Sequence, residues 1–96
     1  MLFALLCEDR PDAGSLRAET RTEHLAHLKA LGSTLRFAGP FLDETEKPVG
    51  SLLVVEAESR EAVEALAAQD PYARAGLFQS VTVRRWNWTV NNPDAA

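Results

Sequence analysis

The sequence predicts an α+β domain in the order strand, helix, strand, strand, helix, strand, with a four-stranded antiparallel sheet. Three observations carry that prediction. Residues 2–7 and 52–55 are apolar without a break, as expected of strands buried on both faces. Residues 34–38 and 79–86 alternate apolar and polar side chains, as expected of half-buried strands. Between these runs lie two segments with apolar residues at helical spacing.

The first strand, residues 2–7, is bounded by Glu8, Asp9 and Pro11, and residues 9–14 read as a turn-rich loop. Helical spacing then runs from Leu16 to Leu31, anchored by Leu25, Leu28 and Leu31, with Gly32 as the stop. In the second strand Leu35 and Phe37 share one face, and Gly39-Pro40 closes it. Residues 41–50 are polar and carry Pro48 and Gly50, so they read as a loop or hairpin connection. The third strand, residues 52–55, ends at Glu56. Ser59 is placed to cap the second helix, with Glu61 in its first turn and Ala62, Val63, Leu66 and Ala67 on its apolar face. Asp70-Pro71 ends that helix, because the residue before proline avoids the helical region, and residues 71–76 have room for one more short turn. In the fourth strand Val81 and Val83 oppose Thr82 and Arg84. Residues 91–96 read as a frayed tail, leaving residues 1–90 as the domain. This is the split βαβ, ferredoxin-like order, with the first and third strands central.

Composition narrows the function. At 96 residues there is room for one domain. Ten basic against fourteen acidic residues give a net charge of -4, which argues against nucleic acid as a partner. A single cysteine, Cys7, excludes an internal disulfide and reads as a small buried hydrophobe. No apolar run approaches the roughly 20 residues of a membrane span, so no membrane partner and a cytoplasmic location are expected. A chain this small buries only about 60–65% of its unfolded surface. Two helices cover one face of a four-stranded sheet, yet Leu2, Ala4 and Leu6 oppose Phe3, Leu5 and Cys7. The uncovered apolar face calls for a second copy, and a homodimer packed sheet to sheet is expected.

A candidate site emerges from the first helix. With His24 at zero and 100° per residue, Arg17 falls at about 20°, Arg21 at about 60° and Leu28 at about 40°. The inward stripe thus carries polar residues at its N-terminal end, either lining a wet pocket or simply emerging from the core. Asp70 is a natural cap for the turn that Pro71 begins, and its second oxygen could still orient an imidazole. A histidine beside a carboxylate is the simplest general acid/base unit. Ser51 either donates to a ligand or starts the third strand. Tyr72 is either packing or pocket wall. Trp86 and Trp88 read as interface aromatics. His27 lies on the flank; two histidines at i, i+3 with a carboxylate could bind a metal, a sparse signal beside the acid/base pair. No C-x-x-C, H-E-x-x-H, P-loop or G-x-G-x-x-G occurs, and no cofactor is expected.

The ordered pieces Arg21-Thr-Glu-His24-Leu25, Phe37-Ala-Gly-Pro40, Gly50-Ser51, and Asp70-Pro-Tyr72 with Ala75-Gly76-Leu77 resemble the YciI-like (YCII-related) domain proteins over nearly the whole chain. The resemblance implies a ferredoxin-like fold as a dimeric α+β barrel. It implies an active site built on a His–Asp pair, which maps onto His24 and Asp70. The motif serine maps onto Ser51, and the pocket lies near Arg21, Pro40 and Tyr72. One characterised relative is a dehydrochlorinase, although a fold does not transfer a reaction. The expected function is acid/base chemistry of lyase, isomerase or dehydrochlorinase type on a small, cyclic or aromatic molecule. The alternative is a non-catalytic ligand-binding or dimeric interaction module, in which His24 and Asp70 merely close one end of the fold.

Overall fold

The computed structural model describes residues 1–94. Its elements are β1 (Leu2–Asp9), α1 (Leu16–Ala30), a short 3-10 turn (Gly32–Thr34), β2 (Leu35–Leu42), β3 (Pro48–Glu56), α2 (Arg60–Gln69), α3 (Pro71–Arg74) and β4 (Phe78–Trp86). The strands form one antiparallel sheet in the order β2-β3-β1-β4. The two unbroken apolar runs are therefore the central strands, and the ferredoxin-like order holds. No helix among the described residues is long and apolar enough to cross a membrane.

The core lies between the sheet and the helices. Phe3, Leu5 and Cys7 of β1 and Leu53 and Val55 of β3 are buried with Val63 of α2. Leu28, Leu66, Ala67 and Val83 pack around them. Ser59 caps α2 by accepting from the Ala62 amide at 3.2 Å. Gly32, at φ +57°, turns the chain out of α1, a conformation that only glycine adopts without strain.

Four details depart from the sequence reading. Leu25 is 43% exposed and does not anchor α1 in the core; it borders a cavity instead. The third strand begins at Pro48 and the second extends past Gly39-Pro40 to Leu42, so both prolines lie inside the sheet. The prolines are tolerated because β2 is an edge strand and Pro48 is the first residue of β3. Leu35 and Phe37 do not share a face. Leu35 pairs with Val55 and Phe37 with the next residue, Val54, leaving Arg36 bulged, and a bulge moves every following side chain to the other face.

Phe37 thereby joins Trp86 and Trp88 on the sheet face away from the helices, at ring-centroid separations of 5.7 and 5.1 Å. The chain after β4 is held there rather than frayed, as far as Asp94. The Trp88 indole donates to the Val90 carbonyl at 2.8 Å, the Asp94 amide donates to Asn92, and Arg36 pairs with Asp94. The remainder of the expected tail, residues 95–96, lies outside the described residues.

Candidate active site

The helical wheel of α1 sets the site. His24 is the one buried residue of that helix, and its ring meets the loop between α2 and α3. His24 Nδ1 and Asp70 Oδ1 are 2.8 Å apart, with both side chains more than nine-tenths buried. The same Oδ1 accepts from the Tyr72 amide at 2.9 Å. One oxygen therefore both caps α3 and holds the imidazole, where the sequence reading had divided these tasks between two oxygens. The Tyr72 ring stacks on His24 at 3.8 Å with 13° between planes. Asp70 and Tyr72 together fix the position and rotation of the imidazole, and Nδ1 is spoken for. Nε2 is left without a protein partner among the described residues, on a side chain that borders the cavity.

A second polar cluster adjoins the first. Arg17, seven residues and about two turns before His24, makes a bidentate ion pair with Asp9, both bonds at 2.8 Å. Its Nη2 also donates to Ser51 Oγ at 3.0 Å, and its guanidinium lies over the Tyr72 ring at 4.7 Å from the centroid. Burial works against the Arg17 charge, but the hydrogen bonds and charge of Asp9 outweigh it and hold the guanidinium above the ordinary arginine range. Burial pushes the Tyr72 phenol up, while the charges of Arg17 and Arg21 pull it back. Burial, with a smaller push from Asp70, raises the Cys7 thiol from 9.0 to about 12. Cys7 is thus an inert core thiol.

These groups border a cavity of about 400 Å³ between α1 and the helix-facing side of β2 and β3. It exists because the sheet residues beneath α1 are short: Ala38, Pro40 and Ser51 share that face through the pairs Ala38↔Leu53 and Pro40↔Ser51. Arg21, His24, Pro40, Ser51 and Tyr72, five of the six expected site residues, line it, and Asp70 stands behind His24. β3 begins at Pro48, so Ser51 does not start the strand, and both Ser51 and Tyr72 line the cavity. Ser51 is 4% exposed with its hydroxyl at the cavity, and Tyr72 is packing and wall at once. His27 is on the flank and does not line the cavity.

Two residues escaped the sequence reading. Asp9 reads in the sequence as the start of a turn-rich loop, yet it closes β1, and the alternation Phe3, Leu5, Cys7, Asp9 puts it on the helix-facing side, toward Arg17. Extending the period-2 pattern by one step would have found it. Lys47, in the turn between β2 and β3, also borders the cavity; no local pattern marks it, because only the hairpin brings it there.

The YCII-related domain model matches residues 1–87. The chain belongs to that family. Among its YCII relatives, Protein YciI of Escherichia coli O6:H1 strain CFT073 is 35% identical over 92 residues, covering 88% of this chain and 94% of that protein. An uncharacterized protein of Haemophilus influenzae is 34% identical over 93 residues, with the same coverage. Among solved structures, the chain is similar to 5-chloro-2-hydroxyhydroquinone dehydrochlorinase (TftG) from Burkholderia phenoliruptrix AC1100, in complex with 2,5-dihydroxybenzoquinone. The TM-score is 0.85, with 34% identity over 96% of this chain and 99% of that one. An antibiotic biosynthesis monooxygenase, at 17% identity and TM-score 0.57, shares the fold.

Proposed function

We propose that this YCII-related protein is a small enzyme that moves protons on a cyclic or aromatic, oxygen-bearing molecule, with His24 as general acid/base. The observation that carries this reading is the paired geometry of the imidazole: Nδ1 is held by a buried carboxylate while Nε2 is left toward an open cavity. A merely structural histidine would have both nitrogens bonded inside the protein. The similarity to a dehydrochlorinase supports the class of substrate.

In this reading Asp70 keeps the proton of the neutral imidazole on Nδ1, so that Nε2 presents its lone pair to a substrate C–H or O–H. When Nε2 takes the proton, the carboxylate 2.8 Å from Nδ1 stabilises the imidazolium. Ser51 Oγ accepts from Arg17, so its own proton is left to donate to a substrate oxygen. Arg21 and Pro40 contact the substrate at the cavity wall. Such proton transfer contributes typically ~10²–10⁴ in rate. The working unit is a homodimer joined through the sheet face away from the helices, where Leu6 and Leu52 are neighbours in register and remain partly exposed. Polar groups of the site require no metal or other cofactor for this step.

The test uses oxygenated ring compounds in heavy water, beginning with 5-chloro-2-hydroxyhydroquinone and 2,5-dihydroxybenzoquinone. Deuterium incorporation and chloride release are followed by NMR and ion chromatography. Wild type is expected to turn over at least one compound, and His24→Ala to lose that activity with its fold intact. Undiminished activity in His24→Ala overturns the assignment.

A further inference from the structure

We propose that the ligand of this cavity is a small cyclic carboxylate, and that Lys47 of the β2–β3 turn recognises its charge together with Arg21 of α1. The inference rests on the cavity being the working site, and it adds the charge of the ligand and a residue outside the family motif.

It follows from an account of charge. Three cationic side chains, Arg17, Arg21 and Lys47, border the cavity with His24, and no Asp or Glu side chain lines it. The two carboxylates at its floor are already engaged: Asp70 with His24 and Asp9, in a bidentate pair, with Arg17. Arg21 and Lys47 form no ion pair among the described residues. Two positive charges outside any ion pair therefore stand at one cavity of a protein whose net charge is -4, with Asp43 of the same turn the carboxylate on which the Lys47 charge acts. That local reversal is what a cleft that draws in an anion requires. The charge of Arg21 reaches as far as the Tyr72 phenol, so it acts inside the site and not only at the surface.

The uncharged part of the lining narrows the ligand further. The Ser51 hydroxyl accepts from Arg17, which leaves its proton to be donated into the cavity. With Arg21 and Lys47 it gives the cavity three donors beside the His24 Nε2 lone pair, and those donors fit an oxyanion. Leu25, Leu28, Leu53, Pro40 and Pro48 give the wall an apolar stretch, which suits an apolar ring. A free cation does not match the donor half of that lining, and a phosphate-rich polyanion does not match the apolar half.

The experiment is calorimetric titration of the full chain at pH 7 with 2,5-dihydroxybenzoate and with 2,5-dihydroxybenzamide, which differ in charge but hardly in shape. The wild type is expected to prefer the carboxylate about tenfold, and Lys47→Gln and Arg21→Gln each to cut that preference about threefold, the range of partly exposed charge pairs. Lys47→Arg keeps the preference, and added salt weakens carboxylate binding only. Native circular dichroism and an unchanged urea midpoint show that each variant is folded. Equal binding of amide and carboxylate, binding of neither at millimolar concentration, or an unaltered preference in Lys47→Gln overturns the proposal. His24→Gln separates it from the acid/base reading. If that variant keeps both turnover and anion preference, the acid/base assignment fails and the anion assignment stands. If it loses turnover while the wild type shows no preference, the reverse holds.

Discussion

Replacing Asp70 by alanine tests the shared carboxylate oxygen, and its cost is calculable. Asp70 Oδ1 caps α3 through the Tyr72 amide and holds His24 Nδ1. Loss of a helix cap costs about 0.5–2 kcal/mol. The imidazole N–H then remains buried, on a side chain only 8% exposed, and an unsatisfied donor there costs about 1–3 kcal/mol. The combined loss is about 2–4 kcal/mol, a large share of the 5–15 kcal/mol typical of a whole domain. With a urea slope of about 1–1.5 kcal/mol/M for a small protein, the midpoint of Asp70→Ala falls by about 2 M. Asp70→Asn keeps a capping oxygen that also accepts from Nδ1, and loses only the charge assistance, about 1 kcal/mol. Urea denaturation of the three proteins at one fixed protomer concentration reads both differences. Asp70→Ala within about 0.5 kcal/mol of wild type, or Asp70→Asn as damaged as Asp70→Ala, refutes the double role of that oxygen.

Three further outcomes follow from the same structure. Burial keeps Cys7 protonated to about pH 12 when folded, against 9.0 for the thiol of the unfolded chain. Above pH 9 the unfolded chain binds fewer protons, so stability falls by up to about 1.4 kcal/mol per pH unit. Cys7→Ala should flatten that fall, and the wild-type thiol should resist thiol reagents at pH 8 until the protein is unfolded. At Gly50 an added Cβ would lie 2.5 Å from the Cys7 carbonyl oxygen and 3.2 Å from Phe41 Cδ2. Gly50→Ala should therefore cost about 1–3 kcal/mol in thermal or urea unfolding, and a variant as stable as wild type would contradict the register of β1 and β3. Light scattering at micromolar concentration should give a dimer for the wild type and a monomer with native circular dichroism for Leu52→Glu. A wild-type monomer would remove the sheet-to-sheet interface.

The sheet order was legible because burial on both faces leaves an unbroken apolar run, and residues 2–7 and 52–55 carry such runs into the two central strands. The polar stripe of α1 was legible for a similar reason: a helix has a fixed angular period, so His24, Arg21 and Arg17 had to lie on the side of Leu28. The bulge at Arg36 was hidden, because a bulge is a choice of pairing between strands and leaves no mark in the β2 sequence alone. The extension of the strands through Pro40 and Pro48 was hidden too, since proline is a break in a central strand and tolerable at an edge, and only the topology distinguishes the two. Asp70 was legible as a cap from the Asp-Pro pair, while its contact with His24 depends on α3 packing beside α1, at a sequence separation of 46 residues. The family motif, not periodicity, joined them beforehand.

The central claim is that Asp70 reserves Nδ1 and leaves Nε2 of His24 free to exchange protons with a ligand. Nitrogen-15 NMR of the histidine side chains reads that arrangement with no substrate needed. For the neutral ring the claim predicts the proton on Nδ1, a bare Nε2, and a shift of Nε2 when 2,5-dihydroxybenzoquinone is added. A proton on Nε2 with Nδ1 bare would contradict it, because the nitrogen facing the cavity would then be a donor and not a base.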